Sequence, residues 1–545
     1  MRRTPLAQLA ALFALLAMVA CLAAAPSTQA APKPRKPGLS VSPSQPLQGT
    51  QATFRTKLPT KVKRPVVLQR KVGAAWVKAA KGRSKANGKV VLKRVEVPGD
   101  SQWRVVAKAV RRHGEKLRKV VTKPKQVQAT LRAELVSGTP SGQSSGVESG
   151  STSISGDGRF VAFASGSPAL VPGTSGYTVE QTQVFLRDRA AGTTQLVSHR
   201  LAAPTIAGAH ASFWPRISQD GRHVVFVSLS DDLVAGDDEG HQDIFRWDRL
   251  SGTTIRVSTN TMGGDPDADS YDPSVSADGA TVGYATGATN IDEDDDNGEV
   301  DVYVWRASSG QSEWVSKDVL GNPSNGASSS GIVSADGTFV TFSSAASDLV
   351  FSDTNGKRDV FRRNLVAGTT ALVSRGVDSG GDDNASGGRT AISADGRFVA
   401  FASLADNLVA GGPPDNGKLN VFVRDMVAGT TVLVSRRPEG GATTGHSLPP
   451  EWVSADGARV LYTTIAPELV PGDTNGVAAD ALMWDRATGL SSLVIRNRYG
   501  GQPNAAVYEP TLSADGRWLA FYSTASDLVP QDPNPTSDAY AWRMP

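Results

Sequence analysis

One segment recurs seven times along this 545-residue chain and restricts its fold more than any other feature. Each copy begins with Ser-x-Asp-Gly and continues with alternating apolar and polar residues, as in "SADGRFVAFAS" (393–403). The Asp of the Asp-Gly pair falls at 157, 220, 278, 336, 395, 456 and 515, at spacings of 58 to 63 residues. A regular period of this size predicts a repeat architecture built from copies of one supersecondary unit.

The fifth copy shows what each repeat predicts. Asp-Gly favours a tight hairpin turn, because glycine tolerates positive φ and aspartate bonds its own backbone. The flanking residues alternate in polarity, which is typical of strands with one buried face. The predicted strands are 389–393, 397–403, 420–425 and 431–435, with a long loop at 404–419 and a short turn at 426–430. A four-stranded antiparallel sheet of this length is a blade of a β-propeller.

The stretch "RAELVSG" (132–138) looks like the end of a repeat, although no repeat precedes it. Its "LVS" also ends the first, fourth and fifth repeats, whereas the seventh repeat finishes in its third strand, "SDAYAWRMP" (537–545). We therefore predict that residues 133–137 supply the missing strand and close the ring, which removes exposed sheet edges. The predicted fold is all-β, with a seven-bladed β-propeller at 131–545.

The pattern "SADGRFVAFAS…DVFVRD…GTTxLVS" resembles the TolB-like, WD-repeat-like propellers of bacterial envelope proteins over residues 133–545. TolB resembles a six-bladed version of this fold, whereas the repeats here number seven. The resemblance therefore does not extend the binding partner of TolB to this chain. The resemblance implies either a binding scaffold or a propeller attached to hydrolase or lyase chemistry, because such folds serve several functions.

The net charge of +4 hides two oppositely charged parts. Residues 31–128 hold 26 Lys and Arg against three acidic residues, a net charge of +23. Residues 129–545 carry a net charge of −21. Each part therefore needs its own functional interpretation.

Residues 1–30 have the pattern of a bacterial export signal, with Arg2 and Arg3 before an apolar run at 9–25. The only cysteine, Cys21, lies in "MVAC", which loosely resembles a lipobox. Two interpretations stay open: cleavage after Ala30 with secretion to the periplasm or exterior, and lipid anchoring at Cys21. No later apolar run approaches the ~20 residues of a membrane span.

After a basic linker at 31–38, residues 39–128 are predicted to form a basic Ig-like β-sandwich. Segments at 64–72, 89–97 and 102–110 alternate in polarity between turn residues. Such short strands are typical of a small sandwich, and "PVVLQRKVGAAWVKAAKGRSKANGKV" resembles the Ig-like modules of secreted bacterial proteins.

The charge of this part has three interpretations. It binds an anionic wall polymer or lipid, it is a solvated basic surface, or it docks against the acidic propeller. No motif indicates specific nucleic-acid binding.

The long loops between the second and third strands of several repeats are acidic, which predicts an anionic ring on one propeller face that favours cations or basic partners. Oxygen-bearing side chains recur there at relative positions 1, 3 and 7, as in half of an EF-hand loop, which makes Ca²⁺ the candidate metal. The candidate ligands are Asp237, Glu239 and Asp243; Asp295, Asn297 and Asp301; Asp353, Asn355 and Asp359; and Asp473, Asn475 and Asp480. The alternative is structural: Asp and Asn stabilise Asx-turns, and the last Asp begins the third strand.

Catalysis finds little support in the sequence. The six histidines do not cluster at metal-ligand spacing, which favours single exposed histidines, and no nucleophile elbow is present. Trp214, Trp314 and Trp452 either stack on sugars or fill blade packing. No catalytic residue and no organic cofactor is predicted. The leading hypothesis is an exported, non-enzymatic scaffold that binds a protein or envelope polymer. The alternative is a propeller hydrolase or lyase acting on carbohydrate. Such an enzyme needs a carboxylate pair in a cleft.

Overall fold

The computed structural model describes residues 36–544 except 73, 98–100, 113–114, 128–129, 239, 378–383, 413–416 and 441–442. The predicted leader with Cys21, most of the basic linker, and Glu239 therefore lie outside the described residues. The described chain divides into two compact units. One comprises residues up to Val41, Thr53–Val95 and Gln102–Gln126; the other comprises Ser42–Ala52, Glu96–Ser101 and the chain from Val127 onwards.

The N-terminal part consists of strands around a small apolar core, in which the rings of Phe54 and Trp103 lie 4.6 Å apart. One sheet has the order β1-β2-β5, a second has the order β10-β6-β3-β4 with β9 also beside β6, and β7 and β8 form a hairpin. The Ig-like identity of this part stays a prediction. The strands are β1 Ser40–Ser42, β2 Thr50–Lys57, β3 Pro65–Val72, β4 Ala75–Arg83, β5 Lys89–Val97, β6 Ser101–Ala107, β7 Val110–Arg112, β8 Glu115–Leu117, β9 Val120–Val121 and β10 Lys125–Val127.

The described residues from Val127 onwards form seven four-stranded antiparallel sheets, which confirms the predicted all-β, seven-bladed propeller. Strand β11 (Ala133–Leu135) precedes the first blade. Blades one to three contain β12 Ser149–Ile154, β13 Phe160–Ser165, β14 Gln183–Asp188 and β15 Thr193–Leu196; then, after the hairpin β16 His199–Arg200 and β17 Ala203–Ala207, β18 Ser212–Ile217, β19 His223–Ser228, β20 Asp243–Asp248 and β21 Thr253–Arg256; and β22 Ser270–Val275, β23 Thr281–Thr286, β24 Asp301–Arg306 and β25 Gln311–Trp314.

The remaining blades follow the same plan. Blades four to seven contain β26 Ser328–Val333, β27 Phe339–Ser344, β28 Asp359–Asn364 and β29 Thr369–Leu372; β30 Ser386–Ile392, β31 Phe398–Ser403, β32 Asn420–Asp425 and β33 Thr430–Leu433; β34 Trp452–Val453, β35 Arg459–Thr464, a 3₁₀ turn at Pro467–Leu469, β36 Asp480–Asp485 and β37 Leu490–Leu493; and β38 Val507–Leu512, β39 Trp518–Ser523 and β40 Asp538–Arg543.

The seventh blade takes its outer strand from the beginning of the propeller. β11 pairs antiparallel with β40, with Ala133 opposite Trp542 and Leu135 opposite Tyr540. Ser137 donates from its hydroxyl to Oδ1 of Asp538 at 2.6 Å. The corresponding serines of the second and third blades, Ser258 and Ser316, donate in the same way to the first residue of their own third strand. The strand in "RAELVSG" therefore makes the contacts of an ordinary fourth strand, but across the closure of the ring.

The Asp-Gly turns also hold neighbouring blades together. In blade five, Asp395 accepts from the Ser393 hydroxyl at 2.7 Å, and Gly396 adopts a φ of +72°. A Cβ atom at Gly396 would lie 2.2 Å from the ring of Phe339 in the preceding blade, so glycine is needed for both conformation and space. Gly158 makes the same approach to Trp518, which repeats the blade contact at the closure.

Candidate functional site

The order of strands in each blade places the predicted acidic loops on one face. Strands one and two, and three and four, are joined by short turns at one end of the sheet, so the loops between strands two and three and between successive blades share the other end. We call this end the loop face and the opposite end the turn face. The candidate ligands among the described residues lie on the loop face, in blades two, three, four and six.

The last aspartate of each candidate set is buried at the start of a strand. Asp243, Asp301, Asp359 and Asp480 are the first residues of their third strands, and all are at most 2 % exposed. Asp243 accepts from the Ser258 hydroxyl at 2.6 Å, and burial still raises the pKa of Asp243 to about 7. The hydroxyls of Ser258, Ser316 and Ser374 donate to Asp243, Asp301 and Asp359, so one oxygen of each of these three carboxylates already has a donor within the protein.

The first aspartate of each set is also buried, but its donor differs from blade to blade. In blade two, Nη1 of Arg256 lies 3.2 Å from Oδ1 of Asp237 and also forms ion pairs with Asp243 and Asp265. In blade three, the Tyr303 hydroxyl donates to Oδ2 of Asp295 at 2.9 Å. The protein therefore fills these two carboxylate sites with its own cation and its own hydroxyl.

Blade six uses an amide for the same purpose. Nε2 of Gln502 donates to Asp473 Oδ1 at 3.1 Å, to Asn475 Oδ1 at 2.8 Å and to Asp480 Oδ2 at 2.6 Å. In blade seven, which the candidate list left out, the Tyr540 hydroxyl donates to Asp532. One donor reaches all three predicted ligands of blade six, so the structure brings these residues together around an amide of the protein.

Among the described residues, blade four has no such side-chain donor. Asp353 is 6 % exposed, and no described side chain donates to either of its carboxylate oxygens. Burial raises the pKa of Asp353, and the backbone N–H of Asn355 lowers it by a smaller amount. Nδ2 of Asn355 donates to Oδ2 of Asp359 at 2.8 Å. Over the described residues, no group of three His, Cys, Asp or Glu side chains is placed to hold a metal ion.

A second candidate site lies in the central channel and was missed by the sequence interpretation. The first strands of neighbouring blades pack against one another, so they are the innermost strands of the ring. Arg216 of blade two lies in the electrostatic field of Arg389, Glu509, Glu451 and Asp272, which belong to blades five, seven, six and three. Non-adjacent blades meet only at the propeller axis, so these half-buried side chains line the channel.

Burial in the channel shifts the pKa values of the charged side chains that line it. Burial raises the pKa of Glu451 to about 7, against the opposing effect of Arg389 and Arg216, while Glu509 raises it further. Burial likewise lowers the pKa of Arg216 to about 10. Oε2 of Glu509 has no hydrogen-bond partner among the described atoms. A titrating carboxyl beside a second carboxylate in a cleft is the arrangement that acid–base chemistry requires.

The sequence signal for this site is present but does not repeat. Each charged residue comes shortly before a Ser-x-Asp-Gly head, in "WPRIS", "SYDPSVS", "GGRTAIS", "PPEWVS" and "YEPTLS". Asp272 and Glu509 have φ values of +53° and +43°, at irregularities in their first strands. Because the repeats carry unrelated side chains at this point, alignment of the heads alone gives no chemical pattern.

The three tryptophans proposed for sugar stacking separate in the structure. Trp314 is 2 % exposed and stacks on Tyr303 at 5.9 Å, so it belongs to the core. Trp452 packs beside a buried cluster, whereas Trp214 is 38 % exposed on an innermost strand.

His223 is 4 % exposed rather than at the surface, because its ring packs under Gly279 of the next blade.

Comparison with known proteins gives a likeness of fold. A TolB from Agrobacterium tumefaciens is 15% identical, with a TM-score of 0.33 over 61% of this chain and 89% of that chain. An oligogalacturonate lyase from Vibrio parahaemolyticus is 10% identical, with a TM-score of 0.46 over 76% and 97%. The WD40 repeats of RRP9 are 10% identical, with a TM-score of 0.28 over 60% and 93%.

The chain is similar to TolB-like and WD-repeat propellers. The propeller predicted from the repeats is confirmed by the seven four-stranded sheets of the described chain. No protein-family model and no curated protein sequence matches the chain. Within the described residues, the structure contains no helix long and apolar enough to cross a membrane.

Proposed function

We propose that this protein is an exported, non-enzymatic scaffold of the bacterial envelope or exterior, and that the loop face of its propeller binds a basic, partly apolar protein segment. The observation that carries this proposal is a set of strongly exposed apolar side chains on the loop face. Met262 is 92 %, Leu320 is 80 % and Phe351 is 89 % exposed. Large apolar side chains at this exposure are typical of a contact surface when several occur together.

These side chains are carried by neighbouring loops and surrounded by carboxylates. The backbone N–H of Val319 donates to the Asp348 carbonyl at 3.1 Å, which joins the loop of Leu320 to the loop of Phe351. The exposed acidic residues of this region are Asp231, Asp238, Asp267, Asp269, Glu293, Asp294, Asp296 and Glu299. An apolar patch with acidic surroundings favours a partner with apolar anchors and basic flanks, because charge complementarity steers and orients the encounter.

The test compares the two faces of the propeller. The full chain, immobilised, is used to capture proteins from an envelope extract, beside a loop-face variant (Met262→Ser, Leu320→Ser, Phe351→Ser). The matched control carries the same substitution at exposed apolar residues of the turn face, Leu250→Ser, Val366→Ser and Val427→Ser. We expect a specific basic partner that is lost with the loop-face variant and kept with the control. Equal capture by both variants would contradict the proposal.

A second candidate function rests on the channel. The Glu451 carboxyl, with its pKa near 7, is suited to protonate a glycosidic oxygen, while Glu509 takes the proton of the attacking water. The glycosidic C–O bond breaks: the anomeric carbon takes the hydroxyl of water, the leaving oxygen keeps the proton from Glu451, and the proton held by Glu509 returns to Glu451 through solvent. Release of reducing ends from a polysaccharide panel tests this function. Activity that is lost in both Glu451→Gln and Glu509→Gln supports an enzyme, whereas no release from any polysaccharide supports the scaffold.

A further inference from the structure

The carboxylate of Asp353 is an exception among the buried acids of the loop face. It is 6 % exposed, and no side chain among the described residues donates to either of its oxygens, so that only the backbone N–H of Asn355 stabilises its charge. Burying a carboxylate without a donor or counter-charge is strongly unfavourable, so native proteins pair such groups or bind a cation there.

The other blades show what the protein does at the same place. Eight residues after Asp295 and Asp532, the third strand supplies the hydroxyls of Tyr303 and Tyr540. In blade two, the cation is Arg256 at the end of the fourth strand. Each solution adds a hydrogen-bond donor or a positive charge from within the protein.

Blade four has apolar residues at both donor positions. Phe361 stands eight residues after Asp353, where the tyrosines stand in blades three and seven, and it has no hydroxyl. Leu372 pairs with Phe361 in the sheet just as Arg256 pairs with Phe245 in blade two. The acidic loop is therefore kept, while the described residues of blade four lack both the tyrosine and the arginine; the loop that corresponds to that of Gln502 includes residues 378–383, which lie outside the described residues.

We propose that the blade-four loop binds one Ca²⁺ ion, with the Asp353 carboxylate as its principal ligand. The Asp353 carboxylate offers oxygen ligands, which Ca²⁺ prefers, and the coordination of Ca²⁺ is commonly completed by backbone carbonyls and water. Gly356, with a φ of +63°, turns the chain between Asp353 and Asp359. This inference is independent of the proposed partner binding, and it assigns the metal to one of the four predicted loops.

The decisive experiment exchanges the donors between blades in the full chain. Calorimetric titration with CaCl₂ alone should give one site in the wild type, in the affinity range of about 10⁻⁴–10⁻³ M that is typical of extracellular modules. Phe361→Tyr should lose the site, because the new hydroxyl caps Asp353. The reciprocal Tyr303→Phe leaves Asp295 without its donor and should add a second site.

Melting temperature gives a second readout that does not depend on detecting heat. At tenfold excess over the dissociation constant, Ca²⁺ should raise the wild-type Tm by about 2 °C relative to EDTA. Asp353→Asn and Phe361→Tyr should melt at the same temperature in both media. A wild type without calcium heat and without a Tm shift overturns the proposal. So does calcium binding that persists unchanged in Phe361→Tyr and Asp353→Asn, because the ion would then lie elsewhere.

Discussion

Weakening the strand that closes the propeller should open one blade without unfolding the others. We consider the double substitution Val136→Ala and Ser137→Ala, just after β11. Val136 is fully buried in a cluster with Phe163 and Ala541. The Ser137 hydroxyl donates to the buried Asp538 at 2.6 Å and accepts from the backbone N–H of Ala539 at 3.0 Å.

The expected loss follows from these contacts. Removal of two buried methyl groups and the cavity left behind cost about 2 kcal/mol. Removal of a donor to a buried carboxylate costs about 1.5–3 kcal/mol. The two residues share surroundings, so we take about 3 kcal/mol for the pair, which corresponds to a roughly hundredfold larger population of the detached strand.

Hydrogen exchange at 538–543 measures this opening directly. The matched control is Val257→Ala with Ser258→Ala. Ser258 likewise donates to Asp243 at 2.6 Å, but it follows β21, which is connected along the chain to its own blade before it and to the next blade after it. We expect roughly hundredfold faster exchange at 538–543 in the closure variant, with concentration-dependent association through the freed edge. The control should show no comparable local acceleration at 243–248. Similar exchange rates in the two variants would refute the claim that β11 can detach from β40 while the other blades stay folded.

Three further predictions concern other parts of the molecule. The pKa of Glu451 is about 7 in the folded protein and 4.5 in the unfolded chain, so ionisation of Glu451 lowers the free energy of unfolding as the pH rises through this window. Glu451→Gln should therefore raise the free energy of unfolding, measured with urea, by about 1–2 kcal/mol at pH 8 and leave it unchanged at pH 4. Gly396→Ala should cost several kcal/mol more than Gly429→Ala, which has a similar φ of +68° but open space; equal melting temperatures would contradict the blade contact. Full-length protein should bind anionic vesicles less as salt rises, and Lys71→Glu, Lys78→Glu, Lys81→Glu and Lys85→Glu together should weaken binding while the four Lys→Arg changes do not.

The sequence predicted most of the propeller because its signals are local. The strand predicted at 420–425 is β32, and the one predicted at 397–403 begins one residue later as β31. Asp-Gly turns, polarity alternation and the unpaired "LVS" are all contained within a few residues, and their physical causes operate at that range. The candidate ligands of blade six likewise come together, because Asp473 and Asn475 lie close to Asp480 along the chain.

The remaining features depend on partners distant in sequence. Nothing local to Asp237 indicates that Arg256 neutralises it, because that contact arises only when the fourth strand pairs with the third. The channel charges come from five blades, and their meeting at the axis is a property of the closed ring. One signal was available: Tyr303 and Tyr540 carry a hydroxyl at the position where blade four has Phe361.

The pairing of Ala133 with Trp542 also sets the order of events during biosynthesis. At about 5–20 residues per second, a ribosome needs roughly 20–80 s to make the chain between these two strands. Throughout this time β11 has no partner, and the first blade lacks the neighbour whose Trp518 lies under its Gly158. A polypeptide that cannot close until its last strand is made stays unfinished during synthesis, and a stop codon before 538 would leave the ring permanently open.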